Sequence, residues 1–308
     1  MIDTLIARID ELKNPTVVGL DPTVEMIPQQ VQTDYFEQYG KTPFAVADMF
    51  FHFNKAIIDA IYDIVPAVKP QIAMYEQYGI EGLSAYVRTT EYAKSKGLIV
   101  IGDIKRGDIG STSAAYAAHI DGVKVGDDEF DLWHEDFVTL APYMGSDGIK
   151  PFTSVVESKD KGLFILLKTS NPSSSEIQDV LVASDSQPLY LHVGKLIEDW
   201  GKDSIGAYGY SKVGAVVGAT QSEEGRLVRS LFPHMFFLVP GYGAQGAGAA
   251  DLKGFFDKDG RGCIVNSSRG IIAAYQKHDE YKNGGLDAVG DAARQAALDM
   301  RAELRTIL

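Results

Sequence analysis

Charged residues follow an apolar run at positions 98–108, where the sequence is LIVIGDIKRGD. Side chains two positions apart on a β-strand lie on the same face, so Asp103 and Lys105 are predicted to point the same way. Asp108 follows closely. Because an unpaired buried charge is very costly, acids and bases gathered at the end of a buried strand indicate a site that uses charge for chemistry.

Polar residues also stand at or just beyond the ends of other apolar segments. Taken singly, each is explained as a rim residue or part of a structural ion pair, and Thr112 as a helix N-cap. Taken together they come from separate strands and converge only if those strands form one barrel. The candidates outside the 98–108 run are Asp21, Lys69, Thr112, Ser170, Gln245 and Arg269.

Two stretches late in the chain predict an anion site. Residues 239–252, VPGYGAQGAGAADL, are rich in glycine, and residues 266–271, NSSRGI, contain Arg269. Arginine can bind a phosphate through two parallel hydrogen bonds, and phosphate groups in α/β barrels commonly lie at the loops after the last two strands. A phosphorylated ligand is therefore expected here.

The chain alternates apolar segments with amphipathic helical patterns, which predicts an α/β fold of the (β/α)8 TIM-barrel class. A doubly wound open sheet is the alternative, but no glycine-rich turn follows the first strand. The eight predicted strands are residues 16–21, 66–71, 98–105, 137–143, 162–170, 213–220, 235–243 and 262–270.

Composition narrows the class of protein further. The 308 residues carry a formal net charge of −13, which argues against binding to nucleic acid or an anionic membrane. The single cysteine, Cys263, favours a reducing cytoplasm, and no apolar run approaches the ~18 residues of a membrane span. We expect one domain over residues 1–308, with insertions around 29–47, 121–135 and 171–205.

The sequence lacks the common metal and nucleophile motifs. Its six histidines show no HxH or HExxH spacing, and it contains no GxSxG elbow and no P-loop. We therefore expect no metal and no cofactor, and chemistry on a phosphorylated small molecule.

The motifs together resemble those of the orotidine 5'-phosphate decarboxylase family, in its longer bacterial branch. DIKRGDIGST at 103–112 matches the family pattern D-x-K-x-x-D-I-x-x-T. The remaining motifs follow in family order: GLDP at 19–22, VKPQ at 68–71, TSNP at 169–172, PGYGAQG at 240–246 and SSRG at 267–270.

The resemblance implies cofactor-independent decarboxylation of orotidine 5'-monophosphate (OMP) to uridine 5'-monophosphate (UMP), a carboxy-lyase reaction of pyrimidine biosynthesis. It implies an alternating array of Lys69, Asp103, Lys105 and Asp108, with Lys105 protonating C6 of the pyrimidine. It also implies a homodimer in which Asp108 enters the partner's site. The implied substrate contacts are Asp21, Lys69 and Thr112 to ribose, Ser170 to the pyrimidine, and Gln245 and Arg269 to phosphate.

Two alternatives remain open on the sequence. One is a Mg²⁺-dependent decarboxylase or synthase of keto-sugar phosphates from the same superfamily, although strand two presents Lys69 where a metal site would favour a carboxylate. The other is a barrel that binds a phosphorylated ligand without catalysis.

Overall fold

The protein is described by a computed structural model over residues 1–184, 186–243, 246–282 and 284–308. Eight parallel strands close into a barrel in chain order, with the first strand paired to both the second and the last. This confirms the predicted (β/α)8 TIM barrel. The barrel strands are β1 (Thr16–Leu20), β2 (Ala67–Pro70), β3 (Ile99–Arg106), β4 (Phe137–Leu140), β5 (Gly162–Lys168), β6 (Val213–Val217), β7 (Phe237–Pro240) and β8 (Cys263–Ser267).

The strands are apolar on both faces, which explains their continuous hydrophobic runs. One face fills the barrel interior, for example with Val17, Ile101 and Phe164, and the side chains of the first helix close the bottom of this core. The opposite face, including Val18 and Val100, packs beneath the surrounding helices. Polar side chains on an inward face are therefore exceptions to this pattern, and they occur at the carboxyl ends of the strands.

Helices surround the barrel. The α-helices are α1 (Ile2–Leu12), α2 (Gln29–Tyr39), α3 (Pro43–Ile61), α4 (Ala73–Glu76), α5 (Gly79–Ser95), α6 (Gly110–Asp121), α7 (Ser146–Ser158), α8 (Ser175–Gln178), α9 (Leu189–Gly201), α10 (Ser222–Leu231), α11 (Ala249–Leu252), α12 (Arg269–Ile272) and α13 (Gly285–Leu304). Short 3-10 helices cover Val24–Met26, Pro172–Ser174, Lys202–Ser204, Lys253–Phe255 and Ala274–Lys277. No helix within the described ranges is long and apolar enough to cross a membrane.

The three longer connections contain their own secondary structure. Residues 29–47 hold α2 and the start of α3, which begins at Pro43 because the hydroxyl of Thr42 accepts a hydrogen bond from the amide of Ala45. Residues 121–135 contain a two-stranded antiparallel hairpin, Val123–Val125 with Asp128–Phe130. Residues 171–205 contain α8 and α9. The extent of a single domain over residues 1–308 stays a prediction.

A buried polar network lies against the outer face of β3. Glu135 is fully buried, and its two carboxylate oxygens contact Nδ1 of His119 at 2.9 Å and the hydroxyl of Tyr86. His119 also stacks on the indole of Trp133 at 4.2 Å between ring centroids. The network joins α5 and α6 to the barrel next to the strand that carries Asp103.

Space for this network depends on Gly102, because a Cβ atom there would lie 2.3 Å from the Glu135 carboxylate. We expect Gly102→Ala to lower the free energy of unfolding by about 1–3 kcal/mol, the usual cost of overpacking a core. Urea denaturation followed by circular dichroism measures this. Gly248→Ala is the control, since a Cβ there meets nothing within 4 Å; equal stability of the two variants would contradict the prediction.

Candidate active site

The carboxylate of Asp103 is the centre of a hydrogen-bonded cluster at the carboxyl end of the barrel. Its Oδ1 atom accepts hydrogen bonds from Lys105 Nζ at 2.5 Å and Thr139 Oγ1 at 2.9 Å. Its Oδ2 atom accepts from Lys69 Nζ at 2.7 Å and Gln71 Nε2 at 2.9 Å. Three neighbouring strands therefore supply groups that hold one buried carboxylate in a fixed orientation.

Lys105 leaves the regular strand geometry. Gly102 pairs with Val138 and Arg106 with Leu140, so four steps along β3 correspond to two along β4. Within this bulge Lys105 has φ +45°, a left-handed conformation that is uncommon for a residue with a side chain. The amide of Lys105 donates to the Thr139 hydroxyl at 3.0 Å, which fixes the bulge.

The two lysines differ in their access to solvent. The Lys69 side chain is 4% exposed, whereas that of Lys105 is 44% exposed, although both contact Asp103. Lys69 is therefore a buried charge beside the carboxylate at the boundary of the site, whereas Lys105 is the more accessible of the two to a ligand. Arg106 points away from the cluster, because its guanidinium lies 2.5 Å from a Glu76 carboxylate oxygen.

The charges of the cluster stabilise one another. Burial alone would raise the pKa of the Asp103 carboxyl, but the ammonium groups of Lys69 and Lys105 outweigh burial and hold this pKa below its ordinary value. Burial alone would lower the pKa of Lys69, but Asp103 and Asp21 outweigh it and raise this pKa. Ionised Asp103 therefore stabilises the folded state above its unfolded pKa of about 4, and this contribution is lost as the pH falls toward the folded value.

Two cavities share Lys69 and Asp103. The smaller, about 270 Å³, is lined by Asp21, Lys69, Asp103, Pro240, Gly241, Tyr242, Asn266, Ser268 and Arg269. Asp21 and Arg269 follow strands on either side of the β1–β8 seam, and Asp21 Oδ1 lies 3.9 Å from Lys69 Nζ. Hydrogen-bond acceptors and the exposed guanidinium of Arg269 thus lie in one cavity. The acceptors suit the hydroxyl groups of a ligand, and the guanidinium suits an anionic group.

The larger cavity, about 580 Å³, opens above Lys105 and contains Ser170 in its wall. Part of this wall comes from the 171–205 connection, through residues 171, 173, 174 and 176–178. Gln178 fixes the connection to the end of β5, because its amide oxygen accepts from the Thr169 amide at 2.9 Å and its nitrogen donates to the Thr169 hydroxyl at 2.8 Å. Lys168, buried beneath, contacts Asp179 at 2.5 Å.

Two predicted residues, Asp108 and Thr112, line neither cavity. Asp108 accepts a hydrogen bond at 2.8 Å from the amide of Ile109, and it lines neither cavity. Thr112 is exposed on the first turn of α6; the residue before that helix is Ile109, so Thr112 is not its N-cap. Gln245 lies outside the described residues. One chain therefore gathers Asp21, Lys69, Asp103, Lys105, Ser170 and Arg269 in the walls of these two cavities, without Asp108 and Thr112.

Several polar residues of the site are not among those predicted from the sequence. Gln71 follows Lys69 by two positions and belongs to the quoted VKPQ motif, so its spacing predicts a shared face. Thr139 and Asn266 each stand two positions after an apolar residue that faces the barrel interior, Phe137 and Ile264. A single polar residue on the inward face near the end of an apolar strand is the sequence feature that predicts such site residues.

Comparison with known proteins agrees with this geometry. Residues 17–283 match the model of the "Orotidine 5'-phosphate decarboxylase / HUMPS family". A Petrotoga mobilis protein named orotidine 5'-phosphate decarboxylase is 44% identical, over 99% of this chain and 98% of that protein. One of the same name from Clostridium acetobutylicum is 43% identical over the full length of both.

Solved structures give the same assignment. The Leishmania donovani OMP decarboxylase superposes with a TM-score of 0.71 at 28% identity, covering 99% of this chain and 97% of that one. The match with the family model covers most of the chain, and the site residues lie within it. The chain therefore belongs to the orotidine 5'-phosphate decarboxylase / HUMPS family.

Proposed function

We propose that this chain is a decarboxylase that converts OMP to UMP and carbon dioxide in pyrimidine biosynthesis, without a metal or cofactor. The observation that carries the proposal is the position of Lys105: its ammonium group is held against the buried Asp103 carboxylate and is exposed to a cavity of about 580 Å³. Relatives over 40% identical along nearly the whole chain carry the name of this activity.

Lys105 supplies the cation and the proton that the reaction needs. When the bond between C6 and the carboxylate breaks, its electron pair stays on C6, where no cofactor is present to delocalise it. A positioned ammonium group stabilises that charge and then donates a proton to C6. The resulting neutral lysine regains a proton from solvent, which its exposure permits.

Asp103 favours the departure of the carboxylate. Its pKa is held below the ordinary value, so it stays ionised at neutral pH. A substrate carboxylate bound beside Lys105 also approaches this fixed anion, and the repulsion disappears once carbon dioxide has formed. Lys69 and Gln71 keep the Asp103 carboxylate in place during this step, because both donate to its Oδ2 atom.

We also propose contacts for the rest of the nucleotide. We assign Asp21, Lys69 and Thr112 to ribose hydroxyls, Ser170 to the pyrimidine edge, and Gln245 with Arg269 to the 5'-phosphate. Arg269 lines the smaller cavity, and Ser170 lines the larger one. Lys69 and Asp103 line both cavities, so they then lie between the phosphate end of the nucleotide and its base.

We further propose a homodimer in which Asp108 and Thr112 complete the partner's site. Two apolar side chains lie near Asp108. Ile109 follows it directly, and Met144 lies beside the same glycine as Asp108, because a Cβ atom on Gly148 would lie 2.8 Å from the Asp108 carbonyl oxygen and 3.4 Å from the Met144 Cβ. Ile109, Tyr143 and Met144 are all exposed in the single chain. An apolar surface beside an unused acid is typical of an interface.

Cytoplasmic action is also proposed. Cys263 is the single cysteine and its thiol is buried, so the chain forms no internal disulfide. Nothing in the arrangement of the site depends on an oxidising compartment.

Lys105→Ala is expected to abolish turnover while UMP still binds, because the ribose and phosphate contacts lie elsewhere. Loss of OMP absorbance measures turnover and calorimetry measures UMP binding. Lys55→Ala is the matched control, since Lys55 pairs with Asp59 on α3 away from both cavities. Near-normal turnover by Lys105→Ala would refute its assignment. The same assay with EDTA present separates this activity from a Mg²⁺-dependent sugar-phosphate reaction, which EDTA would stop.

Arg269→Ala is expected to weaken UMP binding far more than uridine binding, because only UMP carries the phosphate. A hydrogen bond to a charged group contributes about 1.5–3 kcal/mol; because Arg269 is exposed, we expect the lower end of this range, roughly a tenfold change in affinity. Arg8→Ala is the control, as Arg8 pairs with Glu11 on α1 at the opposite end of the barrel. Equal weakening of both ligands would place the phosphate elsewhere.

Mixing two inactive variants tests the shared site. Lys105→Ala and Asp108→Ala are each expected to be nearly inactive, but after the mixture is unfolded and reannealed about half of the dimers are hybrids. One of the two sites in each hybrid has a native Lys105 and a native Asp108, so about a quarter of wild-type activity returns if the sites are independent. Each variant reannealed alone is the control. An inactive mixture in which native mass spectrometry detects hybrids would show that Asp108 acts within its own chain.

A further inference from the structure

Asn266 is a buried polar residue of the smaller cavity to which the mechanism above gives no role. It lies near the end of β8 on the inward face, two positions after the interior residue Ile264, and it is 6% exposed. Its Nδ2 atom donates to the Ser268 hydroxyl at 3.2 Å. Its Oδ1 atom has no hydrogen-bond partner among the described residues.

A second unpartnered acceptor lines the same cavity. Asp21 Oδ1 is buried and has no hydrogen-bond partner within the described part of the chain. The nearest ammonium group is Lys69 Nζ at 3.9 Å, beyond hydrogen-bond distance. Buried acceptors are nearly always satisfied in folded proteins, so two of them in one recess indicate that a ligand supplies the missing donors.

The chain leaves room for the Asn266 side chain at Gly19. A Cβ atom on Gly19 would lie 1.9 Å from Ser268 Oγ and 3.1 Å from Asn266 Oδ1. Any larger residue on β1 would displace the polar groups of β8 from the barrel interior. The Gly19 of the GLDP motif therefore allows Asn266 and Ser268 to reach the cavity beside Asp21.

We propose that Asn266 is a ribose-binding residue, which accepts a hydrogen bond from a sugar hydroxyl beside the one that Asp21 binds. This inference rests on the proposed function. A phosphate at neutral pH offers almost no donor to these two oxygens, whereas a hydroxyl both donates and accepts and so satisfies the amide in either orientation. A pair of adjacent hydroxyls is the ligand group that completes both acceptors.

The test is a double-mutant cycle in which one change removes the Asn266 side chain and the other removes a hydroxyl group from the sugar. Dissociation constants of UMP, 2'-deoxy-UMP and 3'-deoxy-UMP are measured for the wild type and for Asn266→Ala. We expect the variant to bind UMP about three- to tenfold more weakly, the usual effect of one neutral hydrogen bond. For one of the deoxy analogues, the variant and the wild type are expected to bind equally, because the interaction is already absent.

A matched variant controls for general effects on the barrel. Thr16 lies on β1, and its buried hydroxyl also lacks a partner among the described residues, but it lines neither cavity. Thr16→Val is therefore expected to leave all three dissociation constants unchanged. Asn266→Asp keeps the size of the side chain and its acceptor oxygens, so it is expected to preserve the wild-type ratio between UMP and the sensitive analogue.

Two outcomes would overturn the inference: Asn266→Ala weakening all three ligands equally or not at all, or Asn266→Asp losing the preference for the hydroxyl. The second outcome is decisive even if Asn266→Ala fails to fold, which circular dichroism detects. Failure of the proposed function is a separate result, because the wild type would then neither bind UMP nor consume OMP.

Discussion

The site depends on the double ion pair of Asp103 with Lys69 and Lys105. A buried carboxylate alone would take up a proton, and a buried lysine alone would lose one. Placed 2.7 Å and 2.5 Å from the same carboxylate, the two ammonium groups keep it ionised. Removing one partner of a buried pair leaves an uncompensated charge, which is strongly destabilising. The charges of this cluster therefore also hold the ends of β2 and β3 together.

The closed barrel holds the groups around Asp103 in rigid positions. Closed pairing leaves no free strand edge, so Lys69, Asp103 and Thr139 keep fixed relative positions on adjacent strands. One local irregularity, the left-handed Lys105 in the β3 bulge, turns that side chain toward the cavity. Outside the barrel, the buried Glu135 network supports the same strand at Gly102. Preorganisation of this kind lowers the cost of rearranging charge during a reaction.

The residues proposed to contact the rest of the substrate lie on elements of different character. Those proposed for the sugar and phosphate, Asp21, Asn266 and Arg269, line one cavity at the β1–β8 seam. The proposed pyrimidine end is bounded by the 171–205 connection, held to β5 through Gln178 and Thr169. Asp108 lies beside exposed apolar side chains, outside both cavities. Each chain already contains the charged cluster around Asp103. In the proposed dimer, association adds Asp108 of the other chain to it.

The barrel and the strand ends that carry its charged residues follow from the order of residues along the chain. Eight apolar runs predict a parallel sheet because both strand faces must be buried, and polar residues at their ends predict where the charges gather. Spacing alone could not show that Asp103 accepts from Thr139 and Gln71, since that contact joins strands far apart in the chain. Nor could it show the bulge at Lys105, or that Asp108 lines neither cavity. The lack of a hydrogen-bond partner for Asn266 Oδ1 among the described residues was equally beyond it. Those features depend on register and packing between strands, which only the tertiary structure decides.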